Sequence, residues 1–298
     1  MLIKLADNLN NSDVIKSGPT SPFVRTKIVG GYDAYTDKKG FTQFGEKLFE
    51  TENMIVLGGS LFTLEKLFGI KSSLKVAYLN DIMGIATDSM GGEIINDSNH
   101  PVENDTVCLF GVGIGGAGES ITDVKDVHYY DREIFDMIPL RQTADELTTE
   151  EAAKYWFKKP IIVDGISKTQ YYLKTFDSVK THVLWRDSSD DSEDGSEVTG
   201  DVHTTTSNIP IETFVEMILK ISKKDIREYF DDNGNIEIAR INSIGLFSGI
   251  KAGIGSPVNR VYPDLDYKRV KLFSKLNINN EMLNLSKDLT IAYRIYTS

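Results

Sequence analysis

The feature that most constrains the fold of this chain is a series of short segments rich in β-branched and aromatic residues. Such residues favour the pleated surface of a sheet, and turns rich in Asn, Asp and Gly separate the segments. Residues 209–221 fit both a strand and a helical spacing, but their Ile, Val and Thr content and Pro210 favour a strand. We predict further strands at residues 23–29 (ended by Gly30-Gly31), 54–57, 171–176, 179–186, 236–247, 270–276 and 289–296.

Helix signals are fewer and local. Ser60 is a predicted N-cap for a helix over residues 61–68, which Gly69 ends. The spacing of Thr148 and Glu151 is that of a capping box and predicts a helix that runs through Phe157 to Pro160. Two further helices are predicted at residues 73–84 and 223–230. The expected fold class is α+β, dominated by antiparallel sheets in a sandwich- or barrel-like core with a few short helices and long loops.

The length of 298 residues slightly exceeds that of one ordinary core. Residues 1–30 are rich in turn-forming residues and predict an extended N-terminal arm. Residues 31–298 are then a β-rich core with inserted helices. An acidic, low-complexity stretch at residues 187–201 predicts a solvated loop inserted in that core.

Composition excludes several classes of function. The formal net charge of −11 argues against a nucleic-acid-binding protein, because phosphate contacts need clustered Lys and Arg. No apolar run is long enough for a membrane span, and the first residues have no apolar signal core, so we expect neither a membrane protein nor export by a signal peptide. Cys108 is the single cysteine, which rules out an internal disulfide and a cysteine-rich metal site.

A glycine-rich stretch, Gly111-Val-Gly-Ile-Gly115-Gly116, resembles part of a dinucleotide-binding fingerprint. It follows a strand-like segment, and Asp131 lies twenty residues beyond Gly111. However, no helical period follows Gly116, although a pyrophosphate would need the N-terminus of a helix there. We therefore expect a tight or mobile loop and no cofactor. Since glycines let a backbone pass close to another chain, this loop is a predicted assembly contact.

Signals for metals and catalysis are weak. Residues 190–201 follow the outline of an EF-hand loop, but the final Glu and the flanking helices are missing. The four histidines, His100, His128, His182 and His203, show no ligand spacing, and only His182 and His203 could approach each other across a hairpin. Neither a nucleophile elbow nor a phosphate-binding lysine motif is present. We expect no metal and no enzyme, with paired carboxylates in a dry cleft as the open alternative.

The C-terminal segments resemble those of tailed-bacteriophage virion proteins. In residues 267–280 a strand ends in Phe-Ser-Lys-Leu-Asn-Ile, and after a polar turn the final strand reads Leu-Thr-Ile-Ala-Tyr-Arg-Ile-Tyr at residues 289–296. Residues 239–249 resemble the partner strand. The resemblance implies a non-enzymatic structural subunit of the neck, meaning a head–tail connector or tail-terminator ring.

Such a subunit would assemble in the host cytoplasm and contact copies of itself and other virion proteins, such as the portal, capsid, tail tube or sheath. Its acidity suits a ring that lines a passage for DNA, because a negatively charged wall lets DNA slide through without binding it. A capsid-decorating, baseplate or tail subunit remains an alternative, as does a carbohydrate-binding module built on Trp156, Trp185 and Tyr171. The predicted assembly contacts lie in the arm and the glycine loop, at Leu2, Ile3, Pro19, Pro22, Gly111, Gly113, Gly115, Gly116 and Gly118.

Overall fold

A computed structural model describes residues 24–38, 40–69, 79–82, 105–118, 123–185, 196–197, 211–251, 267–284 and 286–297. The chain divides into two compact units. The larger unit contains the described residues of Asn53–Thr175 and Lys224–Leu285. The smaller unit contains those of Thr20–Glu52, Phe176–Lys223 and Ser286–Ser298. Each unit is therefore assembled from segments that are distant in sequence.

Strands dominate both units, as the sequence predicts. In chain order they are β1 (Val24–Thr36), β2 (Thr42–Thr51), β3 (Met54–Ile55), β4 (Asp105–Gly113), β5 (Met137–Ile138), β6 (Arg141–Thr143), β7 (Tyr155–Val163), β8 (Ile166–Thr175), β9 (Ser178–Trp185), β10 (Ser196–Glu197), β11 (Ile211–Ile221), β12 (Arg240–Lys251), β13 (Tyr267–Met282) and β14 (Leu289–Thr297). The helices are α1 (Leu57–Phe68), α2 (Leu79–Ile82), α3 (Thr149–Ala152) and α4 (Arg227–Asp232), with a 3₁₀ turn at Ile236–Ile238. Among the described residues, none of these helices has the length and apolar character needed to cross a membrane.

The smaller unit is one antiparallel sheet in the order β10-β9-β11-β14-β1-β2. The last strand of the chain, β14, lies in its middle and pairs with β11 on one side and β1 on the other. The predicted end of the first strand at Gly30-Gly31 is wrong, because β1 continues to Thr36 with a register shift at these glycines. The ring of Phe49 occupies the space that a Cβ atom of Gly30 would need, which explains a glycine inside the strand.

The larger unit is a second antiparallel sheet in the order β3-β13-β12-β4-β8-β6. Two more strands extend it, β5 beside β4 and β7 beside β8. A two-residue turn, Asp164-Gly165, joins β7 to β8, and both residues have the positive φ that such hairpin turns require. The core of this unit is apolar and contains Val56, Leu79, Leu109, Ile134, Trp156, Phe157, Tyr172, Leu173, Phe247, Val270 and Leu272.

The predicted helices are partly confirmed. Gly69 ends α1 in the left-handed conformation, and Thr148 and Glu151 form the predicted capping box of α3. Helix α1 begins at Leu57 rather than residue 61, and α4 is Arg227–Asp232 rather than residues 223–230. Of the predicted helix at 73–84, only residues 79–82 are described.

The helix predicted to continue to Phe157 is wrong beyond Ala152. Tyr155, Trp156 and Phe157 are all buried and open strand β7, which pairs with β8. Pro160 lies inside this strand, opposite Thr169, rather than at the end of a helix. Among the described residues β7 pairs only with β8, so it is an edge strand, where the missing N–H of a proline is tolerated.

The remaining predicted strands overlap strands of the structure, with some differences in their bounds. Residues 209–221 are strand from Ile211 onward, whereas the predicted strand at 236–247 begins with the 3₁₀ turn and becomes β12 at Arg240. The prediction of a β-dominated, antiparallel fold with few helices is confirmed, and in the described part of the chain each sheet is open rather than closed into a barrel. Most of the acidic insertion at 187–201 lies outside the described residues, as does the arm before residue 24.

Candidate functional site

The larger unit holds a cluster of charged and polar side chains between its sheet and α4, which we call the α4 network. Alternate residues of a strand share one face of a sheet, and this periodicity places the β8 members of the network side by side. The members are Arg141 and Gln142 of β6, Tyr155 of β7, Lys168, Gln170, Tyr172 and Lys174 of β8, and Asp225, Glu228 and Asp232 in and before α4.

The centre of the α4 network is the pair of Lys174 and Asp225. The Lys174 Nζ atom lies 2.6 Å from Asp225 Oδ2, and the Tyr155 hydroxyl donates to Asp225 Oδ1 at 2.6 Å. The Asp225 side chain is completely buried and that of Lys174 is 9% exposed. Burial raises the pKa of Tyr155, and the neighbouring Asp225 raises it further, so this phenol keeps its proton.

The backbone next to Asp225 is held in an unusual conformation. Ile226 has a φ of 55°, in the left-handed region that β-branched residues rarely adopt. Its side chain is buried, and its N–H donates to the Leu140 carbonyl at 2.6 Å. These two contacts offset the backbone strain and fix the direction in which Asp225 enters the network.

A second pair flanks this centre. The guanidinium of Arg141 binds Glu228 through both carboxylate oxygens at 3.0 Å, and the Gln142 N–H donates to the same carboxylate. Burial opposes the charged guanidinium, but Glu228 outweighs it and raises the pKa of Arg141. The guanidinium also lies 5.8 Å from the centre of the Tyr155 ring. Tyr155 therefore contacts both the Arg141–Glu228 pair and the Lys174–Asp225 pair.

The outer part of the network is a third pair, Lys168 and Asp232, whose Nζ and Oδ1 atoms are 2.6 Å apart. Gln142 donates to Asp232 and accepts from Gln170, which in turn accepts from the Tyr172 hydroxyl. Burial opposes the charged carboxylate, but the hydrogen bonds from Lys168 and Gln142 hold the pKa of Asp232 below its usual value. The chain of hydrogen bonds therefore ties α4 to β6 and β8.

We expect replacement of Asp232 by asparagine to flatten the acid dependence of stability. Since the pKa of Asp232 is lower in the folded state, its contribution is complete above the unfolded value of 3.8 and is lost as the pH falls through the folded value. Urea unfolding from pH 6 to about pH 2 measures the slope. The matched control is Asp231→Asn, which removes the same charge at an exposed neighbouring carboxylate. Equal slopes for all three proteins would contradict the pairing of Asp232.

The α4 network balances its own charges. Its cations are Arg141, Lys168 and Lys174, and each contacts one carboxylate within the network. Such an arrangement holds the segment that contains α4 on the sheet through three ion pairs. Among the described residues, no group of His, Cys, Asp and Glu could hold a metal ion.

The smaller unit has a buried ion pair of its own. The Arg294 Nε atom donates to Glu216 Oε2 at 2.8 Å, and Thr42 donates to the other carboxylate oxygen at 2.8 Å. Burial opposes the charge, yet Glu216 raises the pKa of Arg294. Aromatic rings surround the pair and contact one another: Phe41, His182, Phe214 and Tyr296.

The predicted assembly glycines lie inside the larger unit. Gly111 and Gly113 belong to β4, and both are buried, as are Gly115 and Gly116. A Cβ atom on Gly116 would lie 2.2 Å from the Asn242 carbonyl oxygen, and one on Gly113 would lie 2.3 Å from that of Phe135. Close approach of neighbouring backbone therefore accounts for these glycines within the chain, while a contact with another subunit stays a prediction.

The chain after the glycine stretch turns rather than entering a helix in the described residues. Ala117 forms an isolated bridge with Val124, and the Gly118 N–H donates to the Asp123 carbonyl at 2.7 Å. A Cβ atom on Gly118 would meet the Asp123 side chain at 2.6 Å. Among the residues of this path that the structure describes, none begins a helix whose N-terminus could hold a pyrophosphate.

Most of the other candidates from the sequence lie outside the part of the chain that the structure describes. Leu2, Ile3, Pro19 and Pro22 lie outside the described residues, as do His100, His203 and the EF-hand-like residues 190–195 and 198–201. His128 lies in the larger unit and His182 in the smaller one. Trp156 and Tyr171, proposed for a carbohydrate platform, are buried at 8% and 6% exposure.

Sequence reasoning missed the α4 network. Its one local signal is the alternation of Lys168, Gln170, Tyr172 and Lys174, which lie on one face of β8, but the predicted strand begins only at Tyr171 and leaves out the first two. The carboxylates that match them lie more than fifty residues away, so a sequence without an alignment does not identify the pairs.

One family model matches part of the chain. Residues 93–210 match a family of unknown function (DUF7208). This range contains the β6, β7 and β8 members of the α4 network but ends before Asp225. No curated protein and no solved structure is significantly similar to the chain.

Proposed function

We propose that this chain is a non-enzymatic structural subunit of a tailed-bacteriophage virion, acting in the neck as a head–tail connector or tail-terminator ring. The observation that carries the proposal is the position of the segments that resemble virion proteins. These segments form β12, β13 and β14. The resemblance therefore concerns the scaffold of the protein rather than a surface motif.

Each of these strands is internal to its sheet. Strand β13 lies between β3 and β12, and β12 lies between β13 and β4. Strand β14 lies between β11 and β1. On this proposal, what the chain has in common with virion proteins is the set of central strands, which determines the shape of a building block.

The buried ion pairs also support the proposal that the chain is a structural building block. In the α4 network and at Arg294, charged side chains contact oppositely charged partners in the same unit. Such pairs favour one conformation and give a rigid surface on which copies can assemble. The partners in this proposal are other copies of the chain in a ring and the adjoining virion proteins.

The test is the oligomeric state of the purified full-length chain. We expect native mass spectrometry and negative-stain images to show a closed ring of several copies. We also expect the chain in purified particles of the phage that encodes it. Monomers at every protein concentration, together with absence from those particles, would overturn the proposal.

We expect deletion of residues 2–22 to abolish the ring, because the arm is the predicted contact between copies. The deletion ends before β1, so the two sheets are expected to remain folded. Circular dichroism and thermal unfolding measure the fold, and native mass spectrometry measures assembly. A ring that forms unchanged without these residues would show that the arm is not the contact.

A further inference from the structure

The Lys174–Asp225 pair is arranged for a reaction as well as for an ion pair. The amine and the carboxyl group are 2.6 Å apart, both side chains are almost or completely buried, and the Tyr155 hydroxyl binds the second carboxyl oxygen. We propose that Lys174 and Asp225 condense spontaneously in the folded protein to form an intramolecular isopeptide bond. This inference does not depend on the proposed function.

The first step is a proton transfer within the pair. The Lys174 ammonium donates to Asp225 Oδ2 at 2.6 Å, and its proton passes along this contact to the carboxylate. The products of this transfer are a neutral amine and a neutral carboxylic acid. The amine then has a lone pair available for attack.

The Tyr155 hydroxyl activates the carbon that is attacked. It donates to Asp225 Oδ1 at 2.6 Å and withdraws electron density from Cγ. The same hydrogen bond strengthens when negative charge develops on Oδ1 in the tetrahedral intermediate. Because burial raises its pKa, the phenol remains a donor throughout.

The step balances without a further reactant. The Lys174 nitrogen forms a bond to Asp225 Cγ, and Oδ1 carries the developing charge. A proton passes from the nitrogen to Oδ2, the Cγ–Oδ2 bond breaks, and one water molecule leaves. An ammonium and a carboxylate become a secondary amide and water, and nothing is oxidised or reduced.

Two physical effects favour the product. The fold holds the reacting atoms in contact, which replaces an encounter in solution with a reaction between neighbours. Condensation also removes a pair of charges from a site where their desolvation is costly. The bond would join residues 51 positions apart and link β8 covalently to the segment before α4.

The larger unit offers two comparison pairs. Lys168 lies 2.6 Å from Asp232, and Lys275 lies 3.0 Å from Asp131. Their carboxylates are 18% and 15% exposed, and they also accept hydrogen bonds from amides, those of Gln142 and of the His128 backbone. We expect both pairs to remain unlinked.

The deciding measurement is the mass of the folded full-length chain. We expect it about 18 Da below the mass calculated from the sequence, because one water is lost. Proteolysis and tandem mass spectrometry should then yield a branched peptide that joins Lys174 to Asp225, with Lys168 and Lys275 unlinked. The branched peptide distinguishes this bond from cyclisation at Asp164-Gly165 or Asp194-Gly195, which gives the same mass.

Three variants sharpen the test. Asp225→Ala should have its full calculated mass, whereas Asp225→Asn should lose about 17 Da, because ammonia replaces water as the leaving group. Tyr155→Phe keeps the ring and should lower the linked fraction of freshly folded protein. A folded wild-type chain of full mass, or a cross-link at Lys168 or Lys275 instead, would overturn the proposal.

Discussion

Replacing Arg294 by methionine is expected to lower the free energy of unfolding of the smaller unit by about 3–5 kcal/mol. The change leaves the Glu216 carboxylate, which is 1% exposed, without its cation in the middle of the sheet. Methionine fills a similar volume between the rings of Phe41 and Phe214, so lost packing contributes little. Urea unfolding gives the total change, and hydrogen exchange followed by mass spectrometry assigns it to β11 and β14.

The control is an ion pair in the same sheet. Lys47 and Glu50 are 2.7 Å apart but 56% and 39% exposed, so Lys47→Met should cost only about 0.2–1 kcal/mol. Adding Glu216→Gln to Arg294→Met should recover part of the loss, because the buried charge is then removed. Equal effects of Arg294→Met and Lys47→Met would show that the burial of the pair does not matter.

Replacing Gly116 by alanine is expected to destabilise the larger unit by about 1–3 kcal/mol. The added Cβ atom would lie 2.2 Å from the Asn242 carbonyl oxygen, and backbone cannot move aside as a side-chain end can. The Gly116 N–H also donates to the Asn242 side chain at 2.6 Å, so the shift would disturb a buried hydrogen bond. Thermal and urea unfolding measure the loss.

This substitution also distinguishes the two roles considered for the glycine stretch. If the role of Gly116 is close packing against Asn242 inside the larger unit, Gly116→Ala lowers the stability of the isolated chain. A variant that keeps full stability but no longer assembles would instead show that the contact lies between subunits. Gly45→Ala is the control, since Gly45 is an exposed glycine of β2 and its added Cβ atom would lie 3.2 Å from the Asp33 Cβ atom.

Local signals predicted local structure well. The capping box at Thr148 and the glycine that ends α1 depend on contacts within a few residues, and both are present. The continuation of α3 to Phe157 was wrong because burial of three aromatic residues in the sheet outweighs the helical start before them. Residues 152–157 contain no signal that separates these outcomes without knowledge of β8.

The α4 network and the glycine stretch show a different limit. The sequence displays the lysines of β8 and the repeated glycines, but not the groups that they meet. Asp225 and Asn242 reach their partners only when distant strands pair in the sheet. Pairing at this separation is set by the register of whole strands, which no short motif encodes.

The central position of β14 has a consequence for when the sheet of the smaller unit is completed during synthesis. Strands β1 and β11 both pair with it, yet β1 leaves the ribosome more than 250 residues earlier. At a translation rate of about 5–20 residues per second, β14 follows β1 out of the ribosome after roughly ten seconds or more. The sheet of the smaller unit therefore gains its central strand only after translation has passed β14, and a chain that stops before residue 289 would leave β1 and β11 without the strand that lies between them.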